Sequence, residues 1–230
     1  MFMIDPLYII MITPVLLLSL WATIRVKTTF NKYSKVGSRS GMTGAEVARF
    51  ILRHNGLGNV DVVETTGFLS DHYDPRSKVV RLSPDVYRNN SIAAIGVAAH
   101  ETGHAIQHAR SYSPLVLRNT MVPIASIGSN MSWVIIFAGL LLQMSNLLLL
   151  GIVLFTAVVA FQVITLPVEF NASTRAKQVL ASYGILGSAE LAGVNKVLSA
   201  AAMTYVAAAA SAIATLLYYV LRFFMMSGDE

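Results

Sequence analysis

Val97-Ala98-Ala99-His100-Glu101-Thr102-Gly103-His104-Ala105-Ile106-Gln107 decides how this chain is read. Small and apolar residues flank an H-E-x-x-H run. On a helix that run puts two imidazoles one turn apart on one face, around a carboxylate. Imidazoles so placed can hold Zn²⁺, and the carboxylate can take a proton from water. Glu101 is the only Asp, Glu, Lys or Arg between Ile92 and Gln107. A metal site here would therefore be dry and bordered by small residues.

Outward from the motif, Ser91 is a good N-cap for a helix reaching about Arg110. Thr43 followed by Glu46 has the capping-box spacing and opens an earlier helix through about His54, with Asn55-Gly56 as its stop. Val60 to Glu64 and Lys78 to Leu82 have strand composition, Asp74-Pro75-Arg76-Ser77 forms the turn before the second, and Ser83-Pro84 starts a short helical turn.

The rest of the chain has the composition of a membrane. Of 230 residues, 55% are hydrophobic and only 13% charged, against about a quarter charged in soluble domains. Four apolar runs, about Leu7–Ile24, Met121–Leu142, Leu147–Val168 and Met203–Leu221, are each long enough to cross a bilayer. The first ends in Arg25-Val26-Lys27 and has no basic residue before it, the reverse of a secretory signal, so it is expected to stay as an anchor. Gln143-Met144-Ser145-Asn146 is the short uncharged joint of a helical hairpin. Sixteen of the seventeen Lys and Arg fall in residues 25–118 and 175–196, so the formal charge of +5 reads as positive-inside topology, with no nucleic-acid partner. With no cysteine, disulfides and thiolate zinc sites are excluded.

The expected architecture is a mostly α membrane protein: about four transmembrane helices with a small α+β zincin-like cytoplasmic domain. Residues 1–24 form an N-terminal anchor and 25–118 the cytoplasmic domain. Residues 119–230 form three further spans with a cytoplasmic insert at 169–200. Both termini are expected outside a multi-pass cell membrane, and the active site on the cytoplasmic side.

A catalytic zinc needs a third protein ligand and an open position. Past His104 the choices are His108, Glu169, Glu190, Asp229 and Glu230. His108 lies a further turn along the same helix, about 6 Å by helical rise, and cannot close a site with His100. No Gly-turned third histidine follows, and no aspartate lies between Asp85 and Asp229 as an intramembrane protease of the distant-aspartate type would need. Asp229 and Glu230 fall on the opposite side of the bilayer. Glu190, two residues after Ser188 as a cap, reads as a first-turn acid. Glu169 is left, just after Pro167 at the inner end of the third span, in what looks like a small-residue helix start. His100, His104 and Glu169 are thus the expected metal ligands, and Glu101 the general base that later passes its proton to the leaving amine. His72, Tyr73 and Arg175 are candidates for stabilising the oxyanion or contacting substrate.

Several stretches together resemble the YugP-like membrane zinc metallopeptidases, more distantly similar to HtpX-like glutamate zincins. They are Asn31-Lys32-Tyr33, Gly41-Met42-Thr43-Gly44, Asp71-His72-Tyr73-Asp74-Pro75-Arg76-Ser77, the H-E-x-x-H stretch, Leu166-Pro167-Val168-Glu169-Phe170 and Ala201-Ala202-Met203-Thr204-Tyr205-Val206. The resemblance implies a membrane-embedded zinc endopeptidase that acts on peptide or protein substrates, membrane proteins among them, at the cytoplasmic surface, with Glu169 as third ligand. An oligomer or a regulatory membrane partner stays open. The wider HtpX-like pattern has an aspartate four residues after the ligand glutamate to orient a histidine. Here that place is Ser173, so serine or another group must take the role. The resemblance also implies an edge strand beside the motif helix that receives substrate, expected at about Thr66 to Tyr73.

Two other classes compete. A non-enzymatic scaffold or partner-binding subunit with a structural or vestigial zinc site would have no use for Glu101. A transporter would be expected to carry ionisable groups in its spans, yet the four runs hold only Asn130, Gln162, a terminal Gln143 and hydroxyls.

Overall fold

The computed structural model describes residues 5–228. Asp229 and Glu230, set aside above as ligands, lie outside the described residues. The chain divides into two compact units.

One unit collects the apolar segments 1–22, 116–166 and 204–230. They belong to four helices, α1 (Pro6–Tyr33), α5 (Ser113–Leu141), α6 (Ser145–Ser182) and α7 (Ser188–Ser227), each long and apolar enough to cross a membrane. Residues 142–144 make the α5–α6 joint, with Gln143 in the left-handed region at φ 54°. Gly139 and Gly151 let this hairpin close. A Cβ at Gly139 would stand 2.6 Å from the Leu148 amide nitrogen, a separation real Cβ atoms do not show. The unit's core gathers Ile136, Leu148, Ile152 and Phe155 with Tyr218 and Tyr219. Tyr218 donates to Asp5 at 2.8 Å, and Arg222 stands 3.8 Å from the same carboxylate.

The other unit holds residues 23–115 and 167–203. Helix α2 (Gly44–His54) opens on a complete capping box. Thr43 Oγ1 accepts from the Glu46 amide at 3.3 Å, and Glu46 Oε2 accepts from the Thr43 amide at 2.8 Å. Strands β1 (Asp61–Glu64), β2 (His72–Asp74) and β3 (Val79–Leu82) form one sheet in the order β1-β3-β2. β1 runs parallel to β3 with Val62 opposite Val80, and β2 runs antiparallel to β3 with Tyr73 opposite Val80. The short helix α3 (Pro84–Tyr87) leads to the motif helix α4 (Ile92–Ala109), capped by Ser91 Oγ, which accepts from the Ala94 amide at 3.2 Å.

The core of this unit forms on two sides of α4. Val62, Val80 and Leu82 of the sheet pack with Ala94, Ala98 and Ala105. Ile95, Ala99 and Ile106 pack with Ala176 and Leu180 of α6 and Val194 and Leu198 of α7. Small residues on α4 let its neighbours approach closely. A Cβ at Gly103 would stand 2.8 Å from the Ala172 carbonyl oxygen, and one at Gly96 3.1 Å from Val194 Cγ1.

Two expectations change. Glu169 is not at a helix start: α6 continues unbroken through Pro167, so Glu169 sits inside one 38-residue helix. A proline lacks one amide donor, and long apolar helices tolerate that loss, as Pro14 and Pro123 also show. The edge strand expected at Thr66 to Tyr73 is confined to its end. β2 covers His72–Asp74, while residues 66–71 form a bend, a turn and irregular chain in which Gly67 and Leu69 have positive φ, and such residues cannot continue a strand ladder.

Candidate metal centre

His100 and His104 project from one face of α4, with ring centroids 4.8 Å apart and planes at 87°. Helix α6 brings Glu169 to both. Its Oε2 lies 3.3 Å from His100 Nε2 and 3.6 Å from His104 Nε2, and the three ligand atoms fall within 4.8 Å of one another. Tetrahedral zinc with bonds of about 2.0–2.1 Å requires ligand atoms about 3.3–3.4 Å apart. The donor set suits Zn²⁺ and the two separations from Glu169 are close to that spacing, while the whole group spreads to 4.8 Å. Gly103 makes this meeting possible, because it faces Ala172 on the helix that carries Glu169.

Glu169 is only 4% exposed. Burial opposes its ionisation, yet the hydrogen bond with His100 and the facing His104 imidazole, with their charge, outweigh burial and hold the carboxyl well below the usual range. Burial likewise works against a charged His104, but Glu169 and the charge of Glu101 draw its pKa upward on balance. Glu101 is buried.

The outer ring nitrogens are occupied as well. Ser173 Oγ lies 3.1 Å from His100 Nδ1, and Gln107 Oε1 lies 3.0 Å from His104 Nδ1. The Gln107 side chain also donates to the Val168 carbonyl at 2.8 Å and to Asn171 Oδ1 at 3.0 Å. Gln107 was missed from sequence. Its only signal there was an amide three residues after the second histidine, on a helix otherwise apolar at that point.

The other candidates make their hydrogen bonds elsewhere. His72 is exposed, with Nδ1 2.8 Å from the Ser70 carbonyl. The Tyr73 hydroxyl meets His108 Nδ1 at 2.9 Å, one turn beyond His104. Arg175 donates through Nε to Asn171 Oδ1 at 2.7 Å, and its guanidinium carbon lies 5.9 Å from the centre of the Tyr112 ring. Glu190 accepts from the Gly187 amide at 3.0 Å and the Arg39 amide at 2.8 Å, as a first-turn acid does.

Asp71 carries weight that sequence did not show. Its carboxylate accepts from the Ser83 amide at 2.7 Å and from the Ser83 hydroxyl, joining the segment before β2 to the end of β3. Burial pushes its carboxyl above the ordinary range despite those bonds, and the charge of Glu101 adds to the rise.

A family model described as "Putative neutral zinc metallopeptidase" matches residues 8–224. The chain is 54% identical over 217 residues to a Bacillus subtilis (strain 168) protein named "Putative membrane protease YugP", covering 94% of this chain and 96% of that protein. No solved structure matches. With nearly its whole length matched, the chain belongs to the family described as "putative neutral zinc metallopeptidase".

Proposed function

We propose that this protein is a membrane-embedded zinc endopeptidase hydrolysing peptide bonds at the cytoplasmic membrane surface. The observation that carries the reading is one carboxylate oxygen, Glu169 Oε2, standing 3.3 and 3.6 Å from the Nε2 atoms of the two motif histidines. In this reading His100, His104 and Glu169 hold Zn²⁺, which when bound polarises the scissile carbonyl and acidifies the attacking water. Glu101 takes the proton of that water as it adds to the carbonyl carbon, then delivers it to the departing amine as the C–N bond breaks. His72, Tyr73 and Arg175 remain the candidates for oxyanion stabilisation or substrate contact.

β2 supports a substrate mode. It is an edge of the sheet, so one row of its backbone groups is left unpaired within the sheet, and an extended peptide could add there as a further strand. The basic residues support the topology. Residues 25–118 and the insert 169–200 hold all but one of the Lys and Arg, the pattern of cytoplasmic segments between spans with both termini outside.

The test is Glu101→Gln in the purified full-length protein in detergent. The variant should keep its zinc and lose cleavage of a casein or peptide substrate by a factor of about 10² or more. A variant that keeps its zinc and cleaves at the wild-type rate would contradict the mechanism. A wild-type protein that binds zinc and cleaves nothing would favour a scaffold.

A further inference from the structure

Gln107 is fully buried, 0% exposed, yet carries a polar amide inside an apolar helix interface. Such a group is costly unless its bonds are made. Here they are made in a way that leaves no choice of orientation. The Val168 carbonyl can only accept, so the Gln107 atom 2.8 Å from it must be the NH₂ nitrogen. Asn171 agrees: its Oδ1 takes the Arg175 Nε–H at 2.7 Å, so it too faces Gln107 as an acceptor, at 3.0 Å. The Gln107 carbonyl oxygen must then face His104 Nδ1, 3.0 Å away, and an oxygen there accepts only if Nδ1 carries a proton. In the neutral ring the lone pair of His104 is thereby left on Nε2, the atom that faces Glu169 and would hold a metal.

His100 has no such lock. Its Nδ1 partner is the Ser173 hydroxyl at 3.1 Å, which can donate or accept by rotation. Gln107 also spans the two halves of the site, because Val168 immediately precedes Glu169. One amide thus sets the imidazole of α4 against the backbone of α6 at the glutamate.

We infer that Gln107 is a positioning residue of the metal centre: it fixes the tautomer and ring orientation of His104 and registers that ring to the α6 backbone beside Glu169. The inference rests on the zinc reading above and deepens it. Partners of this kind, hydrogen-bonded to a ligand histidine, typically change metal affinity about 10–100-fold when removed.

The experiment compares full-length protein in detergent as wild type, Gln107→Met and Gln107→Glu. Zinc affinity is read by chelator competition and the histidine ring nitrogens by ¹⁵N NMR of the zinc-loaded protein. Gln107→Met removes both the acceptor and the donor, and should bind zinc about 10–100-fold more weakly. Gln107→Glu keeps an acceptor for His104 but sets its second oxygen against the acceptors of Val168 and Asn171, and should bind zinc more tightly than Gln107→Met. A merely structural link to α6 would weaken both variants alike, and that result overturns the inference, as does wild-type affinity in Gln107→Met. Should the Met variant not fold, the wild-type spectrum decides. A proton on His104 Nδ1 is expected, and a proton on Nε2 overturns it. A wild-type protein that binds no zinc overturns the zinc reading and this inference together, whereas intact zinc binding with an indifferent Gln107 overturns this inference alone.

Discussion

Gly103→Ala sets local preference against tertiary geometry. In an exposed helix, alanine in place of glycine stabilises by about 1 kcal/mol. At Gly103 the added Cβ would stand 2.8 Å from the Ala172 carbonyl oxygen and 3.3 Å from two further Ala172 backbone atoms. Neither side can yield by rotating a side chain, because all three neighbours are backbone. Ordinary contact begins near 3.5 Å, so α4 and α6 must part by roughly 0.5 Å or more. Overpacking of this kind costs about 1–3 kcal/mol, which cancels or exceeds the gain in helix preference. The functional cost is larger than the stability cost. Glu169 lies one helical turn before Ser173 and three residues before Ala172, so the same displacement carries its carboxylate away from the histidines. Metal–ligand distances tolerate only about 0.2 Å. Thermal unfolding and a chelator-competition zinc titration check this. The expected result is unchanged or lower thermal stability, with zinc affinity reduced at least tenfold. A variant more stable than wild type that binds zinc equally well would refute the account of how α4 and α6 meet.

Further outcomes follow from single contacts. The raised pKa of Asp71 means that folding favours its neutral form. Its contribution is therefore fully present below the ordinary aspartate range and is lost as pH rises through the elevated value. Asp71→Asn should flatten that fall in the melting-temperature profile above about pH 4 relative to wild type, since an amide does not titrate. An unchanged profile would show that burial of this carboxyl is not felt. Thr43→Ala removes the side-chain acceptor for the Glu46 amide and should cost about 1 kcal/mol, read as a lower melting temperature with zinc affinity intact.

The four apolar helices could be read directly, because length and hydropathy alone determine them. The caps at Thr43 and Ser91 could be read because their geometry is local. β2 could not, since a three-residue strand is too short to show an alternating pattern, and its pairing with β3 is a tertiary fact. Pro167 misled for a similar reason. As a helix breaker it suggested a new start at Glu169, yet a long apolar helix absorbs a proline that a short exposed one would not. At the metal centre, the shortage of acids after His104 singled out Glu169. Nothing in the spacing showed that Gln107 would reach across to Val168, because that depends on how closely α4 and α6 pack. The role of Asp71 is not legible in the sequence, since its bond to Ser83 joins residues that just the folded sheet brings together.

The central claim is that α4 supplies two ligands and α6 the third. Metal analysis of purified wild type, Glu169→Ala and Glu190→Ala tests it most directly, with one zinc per chain expected in wild type. Glu169→Ala should lose that zinc, since it removes the carboxylate that stands against both imidazoles. Glu190→Ala should keep it, since that carboxylate is engaged with the backbone amides of Gly187, just before α7, and of Arg39. Equal zinc retention in both variants would contradict the assignment of Glu169.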